Sequence, residues 1–369
     1  MSQMRRSPVV LSMTAFCVIV GTLAVGASAL TAIWMATAAV DGRVAAEAQA
    51  AAQQSVVKAA EVFLATLDSG QRAKAVLDLN AKTRTVWSNL PTGVTLQVGA
   101  TERNGLKIGD MTPAQEKAAL ALLATALSRE GYEKAMAIVD ADELLEQRSA
   151  PTRKPGSRTI FGRKEFYFAI LGTPSTAASW MLQFGGHHLA INVTYAGAAH
   201  VLTPTHTGAQ PASFSIEGRT VRPLGDENDK AFALINALEP EQRKQAILGV
   251  EVRNLVLGPG TDGKMIAPEG VKASTFNDAQ RAQLVDLAGE WVRIVGDAAA
   301  AAKMAEIKSG LNDTYFAWAG PTTSGSGAYF RIHGPAVFIE YAPQGSGTDH
   351  IHTIYRDPTN DYAAKVTAR

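Results

Sequence analysis

Two short histidine motifs are where this 369-residue chain could do chemistry. The first is Gly185-Gly186-His187-His188-Leu189-Ala190-Ile191-Asn192, and the second is Asp349-His350-Ile351-His352-Thr353-Ile354-Tyr355-Arg356-Asp357-Pro358. All seven histidines of the chain fall between His187 and His352. A His-x-His pair on a strand sets two imidazoles about 6.5–7 Å apart on one side, a spacing that grips a metal ion. His350, His352 and Arg356 share one face of such a strand. In the first motif, alternation puts His187 with Leu189 and Ile191, and His188 with Asn192 on the more polar side. His187 reads first as a turn residue and second as a ligand.

The candidate metal ligands are therefore His188, His350 and His352, with His187 beside them. Glu340, in the apolar run Val337-Phe338-Ile339-Glu340-Tyr341, is costly to bury unless paired or ligating. It reads either as a third ligand or as the partner of Arg331 or Arg356. Arg356 is a candidate for bidentate binding of an anionic small-molecule substrate, and Asn192 for hydrogen bonding to that substrate or to a ligand. Three histidines suit zinc, two histidines with Glu340 suit non-haem iron, and copper fits an all-histidine set. Zinc or copper is preferred over iron. His333 sits near the second hairpin turn, and His206 lies in a Thr/Pro/Gly stretch expected to face solvent. The rival readings are a binding protein for a small anionic ligand or a metal, and a metal-free acid/base enzyme using His350 or His352.

Other motifs are set aside. Gly258-Pro259-Gly260-Thr261-Asp262-Gly263 matches a dinucleotide fingerprint in letters, but it opens no helix and Pro268 follows, so it reads as a loop. No phosphate-binding loop, nucleophile elbow or His-Glu-x-x-His helix is present, so no nucleotide cofactor is expected.

The elements that must position these residues follow a repeating order. Helical sequence is expected from Val44 to about Leu90, and again from Thr112, an N-cap followed by Pro113 at the first helical position. From Phe166 short β runs take over, with hairpins at Trp180–Phe184 with Leu189–Tyr195, and at Ala328–Ile332 with Val337–Tyr341. Leu67–Ala75 resembles Leu238–Ala246, Thr112–Gln115 resembles Asn277–Gln280, and Tyr167-Phe168-Ala169 with Gly172 resembles Tyr315-Phe316-Ala317 with Gly320. An internal duplication is expected, with pseudo-halves at about 57–210 and 228–369. The predicted class is α+β, with helical layers and antiparallel β-meanders in one domain over 44–369, the two sheets facing one another.

The first forty residues differ. Arg5 and Arg6 precede an uncharged run from Val9 to Val40, longer than the ~20 residues that cross a bilayer. It reads as a long signal peptide or a single-pass anchor, which places the rest outside the cytoplasm: periplasmic, or held at the inner membrane facing outward. The membrane is expected as a partner only through this segment. Cys17, the one cysteine, lies inside it, so the exported part has no thiol ligand. Against 35 basic and 34 acidic residues the chain has a net charge of +1. With no basic stripe, nucleic acid is not an expected partner.

From roughly Val57 to Arg369 the chain resembles the exported bacterial and fungal family catalogued as domain of unknown function 3500. The resemblance rests on Trp180 through Gly186-His187-His188-Leu189, Pro204 with Pro211, Tyr315–Gly320, Tyr329–Pro335, Ile339-Glu340-Tyr341, His350-Ile351-His352, and Arg356-Asp357-Pro358 with Asp361-Tyr362. It implies the fold unit and export, but no activity. The chain departs from the family pattern where Ala363 stands in place of a glycine, and it stops at Arg369 before a further histidine.

Overall fold

Alternation along each strand decides which residues meet helices and which meet loops. The computed structural model describes residues 47–94, 103–197, 199–345 and 347–367. The N-terminal run from Val9 to Val40 lies outside them, and among the described residues no helix is long and apolar enough to cross a membrane. Gln49–Arg369 makes one compact unit.

Its helices are α1 (residues 47–65), α2 (Ser69–Ala75), α3 (Pro113–Ala126), α4 (Arg129–Ser149), α5 (Gly225–Ala237), α6 (Pro240–Ala246), α7 (Asp278–Val292) and α8 (Asp297–Ser309). Thr112 caps α3 and Asn277 caps α7, each within a capping box closed by a glutamine at the third position, as the residue types predict. The predicted helix from Val44 to Leu90 is shorter in fact. Asp68 starts a separate helix, α2, and the β-branched Val76 then enters a short strand paired with Ile170 and Leu171.

The strands are β1 (Val76–Leu77), β2 (Leu106–Lys107), β3 (Tyr167–Leu171), β4 (Trp180–Gly186), β5 (Leu189–Ala196), β6 (Ala199–Val201), β7 (Thr205–Ala209), β8 (Phe214–Ile216), β9 (Arg219–Val221), β10 (Val271–Lys272), β11 (Tyr315–Ala319), β12 (Tyr329–Gly334), β13 (Val337–Pro343) and β14 (Ile351–Arg356). Twelve form one mixed sheet in the order β1-β3-β4-β5-β7-β14-β13-β12-β11-β10, with β2 beside β3 and β6 beside β5. The fold is α+β. The two expected sheets do not face one another; β7 and β14 pair from Ala209↔Ile351 to Thr205↔Tyr355 and fuse both meanders into one sheet. Backbone groups that would have been two exposed edges are thereby satisfied.

One face of this sheet is the core. Phe168, Ile170, Leu182, Phe184, Ile191, Val193, Phe316, Trp318, Phe330 and Ile339 pack there against Phe63, Leu122, Ile138, Leu234, Leu287 and Trp291 from the helices. The other face carries Gln183, Asn192, His206, Arg331, His333, Glu340, His352 and Arg356 at alternating registers. It is covered by irregular segments that bring a few apolar side chains, among them Trp87, Leu255 and Ile266 on Phe338 and Ile354. This polar inner face, closed over by loops, is where the candidate residues lie.

The helical layers contain matching contacts. Gln71 and Gln115 exchange side-chain amide hydrogen bonds, and so do Gln242 and Gln280. Gln115 also donates to the carbonyl of Thr66, and Gln280 to that of Ala237. Gly105 and Gly270, each with positive φ, press against the carbonyls of Phe168 and Phe316.

Candidate metal centre

Gly186 and Leu189 pair across the β4–β5 hairpin, which leaves His187 and His188 as its two-residue turn. His188 holds φ 64, the left-handed region that costs a non-glycine residue about 1–3 kcal/mol. Three contacts fix the turn. The His188 N–H donates to the carbonyl of Asn89 at 3.1 Å. The Nδ1 of His187 lies 2.5 Å from Oδ1 of Asp142 on α4, and the two imidazoles stack with centroids 3.6 Å apart. The second oxygen of Asp142 accepts from the Gly162 N–H at 2.7 Å, so this fully buried carboxylate ties the turn to the helical layer.

His350 and His352 reach the same point from the start of β14. Asp349 anchors that approach, accepting the Ala212 N–H at its carbonyl and its side chain. The Nε2 of His188 is 2.8 Å from that of His350, and the latter is 3.2 Å from Nε2 of His352. All three nitrogens lie within 4.8 Å of one another. The ligand atoms of a tetrahedral zinc at 2.0–2.1 Å stand about 3.3 Å apart, so this donor set has the spacing of a first coordination shell. Gly208 of β7 makes the space. A Cβ there would meet the Ile351 carbonyl at 2.8 Å and Cδ2 of both His188 and His352 at 3.2 Å.

The electrostatics favour ligation, which requires the neutral ring. Burial, reinforced by the neighbouring imidazoles, holds His188 and His352 far below the ordinary histidine value. Burial likewise lowers His350, the least enclosed of the three, to about 4.

His206, expected in a solvent-facing loop, is instead fully buried on β7 with its ring 5.1 Å from that of His352. Neither of its ring nitrogens has a hydrogen-bond partner, and burial lowers it to about 3. Thr, Pro and Gly around it read as a loop because the strand exists only through β5 and β14 on either side. Asp142 was missed as well. A signal was present: Ala135, Ile138, Val139 and Asp142 form one buried stripe of α4, where an acid needs a partner.

The other candidates are not brought to this point. Glu340 is fully buried, but its carboxylate accepts from the Val256 and Leu257 N–H groups and the Tyr329 hydroxyl. Its expected partners bind elsewhere: Arg331 pairs with Glu269, and Arg356 with Asp262 and Asp361. The remaining Arg356 nitrogens donate to the carbonyls of Leu257 and Gly258, so the Gly258–Gly263 run is a loop clamped by arginine. Asn192 donates to the Pro204 carbonyl and accepts from Gln183. His333 sits across from Phe338, away from the cluster.

Residues 49–364 match the family model described as "Protein of unknown function (DUF3500)". No curated protein matches the chain, and neither does any solved structure.

Proposed function

The chain belongs to this family of unknown function, and we propose that its histidine cluster is the catalytic metal centre of an exported enzyme acting on a small molecule. One observation supports this above others: the Nε2 atoms of His188, His350 and His352 converge at 2.8 and 3.2 Å with no carboxylate among them. Two unprotonated nitrogens that close repel unless a proton or a metal lies between. Three neutral imidazoles suit zinc or copper, and the engagement of Glu340 by two backbone N–H groups and a hydroxyl argues against an iron site built on it.

His350, the partly exposed member of the set, puts the cluster within reach of solvent. A zinc held by these three rings would supply water activation near neutral pH, the chemistry of a hydrolase. The chain's own part is to hold three rings neutral and fixed. Asp142 does this through His187, whose ring stacks against that of His188. Export through the Val9–Val40 segment, and descent of the two meanders from one duplicated unit, belong to the same reading. The matching Gln71–Gln115 and Gln242–Gln280 pairs support the duplication.

The test is elemental analysis by mass spectrometry on the full chain, purified without a histidine tag, beside a His350→Ala/His352→Ala double variant. Close to one equivalent of zinc or copper, lost in the variant, is expected. No metal in either, even after incubation with Zn²⁺ and Cu²⁺, would sink the proposal. Bound metal with no turnover in hydrolytic and oxidative screens would leave a metal-binding protein without chemistry.

A further inference from the structure

A second site lies on the same polar face, at the far end of β14. His352 and Arg356 are four residues apart, so about 13 Å of extended strand separates it from the histidine cluster. There the sheet, the 257–266 loop, the 357–364 segment and Arg84-Thr85 enclose a cavity of about 290 Å³. Leu257, Met265, Ile266 and Phe338 form one apolar side. Met265 is 74% exposed, a large apolar side chain left at the rim with little to cover it.

The polar side has unspent positive charge. Arg356 is neutralised by Asp262 and Asp361, and Asp357 by Lys303. Arg84 and Lys264 have no carboxylate partner among the described residues, and Arg84 lies over the Tyr362 ring at 5.4 Å with its Nε unpaired. His333, 92% buried by its 8% exposure, also lines the cavity, and its Nδ1 has no hydrogen-bond partner. With Asp357 paired to Lys303, the cations Arg84, Lys264 and Arg356 against the carboxylates Asp262 and Asp361 leave the cavity lining with one net positive charge. A buried donor or acceptor without a partner is uncommon and marks a place for a ligand or water.

We propose that this cavity binds a small monocarboxylate with an apolar body, its carboxylate on Arg84 and Lys264 and its apolar part on Leu257, Met265, Ile266 and Phe338. The volume stands near the lower end of ligand pockets, roughly 300–1,000 Å³, which fits a single metabolite-sized molecule. Arg356, the residue that the sequence suggests for anion capture, shapes the wall instead, because every direction of its guanidinium is occupied. This site stands independently of the metal reading.

Calorimetric titration of the full chain with octanoate and phenylacetate tests it, with octanol, octylamine and acetate as controls. One equivalent of octanoate or phenylacetate should bind, with octanol and octylamine much weaker. Acetate, without the apolar body, should bind at least a hundredfold more weakly. Arg84→Gln should weaken binding roughly tenfold. Lys264→Glu, on an exposed side chain that threatens no packing, should do at least as much. The His350→Ala/His352→Ala variant should bind octanoate like the wild type, which separates this site from the metal centre. Absence of binding by both carboxylates overturns the proposal, as does equal binding of octylamine or acetate, or unchanged affinity in both charge variants.

Discussion

At the scale of single residues, the converging histidines of β14 were legible because their information is local. His350 and His352 need only a strand to share a face, and their neighbours Ile351, Thr353 and Ile354 are strand formers. Asp142 and His206 were not, because each acquires its role through a partner far away in sequence, 45 residues in the case of Asp142 and His187. These distant residues supply the sharpest tests. Gly208→Ala brings a methyl against the Ile351 carbonyl of β14 at 2.8 Å and against the Cδ2 atoms of His188 and His352 at 3.2 Å, so β14 and both rings must shift. The expected result is a weakening of metal affinity by at least about tenfold, measured by competition with a chromophoric chelator, with the circular dichroism spectrum preserved. Asp142→Asn should cost about 1–3 kcal/mol in urea denaturation, since a buried charged acceptor serving His187 and Gly162 becomes a neutral one. An unchanged midpoint would mean that the carboxylate is not what holds the hairpin turn.

Elements account for the largest gap between sequence and structure. Both hairpins and both capped helices follow from alternation and capping residues, whereas the register that merges the meanders does not. β7 is five residues bounded by Pro204 and Pro211, with no apolar alternation of its own. Its strand character comes from β14, and nothing in its composition announces that. Glu340 shows the same limit from another side. The sequence marks it as a carboxylate that needs partners but cannot say that they are the N–H groups of Val256 and Leu257. Those bonds pin an irregular loop onto the polar face of the sheet, and Arg356 pins the next stretch of it. Glu340→Gln should therefore destabilise the fold by about 2–4 kcal/mol, read by urea denaturation, while metal content stays at the wild-type level. Loss of the metal with stability intact would restore Glu340 as a ligand. Ala363 takes φ 56, a conformation natural to glycine, the residue that the family resemblance implies at this position.

Across the whole molecule, a sheet buried on both sides encloses histidines whose protonation burial disfavours. Burial lowers His206 to about 3 and His200 to about 4, against about 6.5 in an unfolded chain. Between these values and about 6.5 the unfolded chain binds protons that the native state refuses, so native stability rises with pH through that window. The contribution is complete above about pH 6.5 and is lost as the pH falls towards 4 and then 3. A metal held by the cluster would add to this by competing with protons for the same rings, so the clean measurement uses metal-stripped protein. Its urea midpoint should decline steeply from pH 7 to pH 4.5. Carboxylates tilt the curve the same way, so the slope alone assigns nothing. His206→Leu isolates the ring, because it removes a titratable group that has no hydrogen-bond partner to lose and keeps an apolar side chain against His352. The variant's midpoint should fall less per pH unit than that of the wild type. Parallel curves would mean that His206 takes up protons in the native state as readily as in the unfolded one, and that its enclosure by β5, β7 and β14 is not maintained in solution.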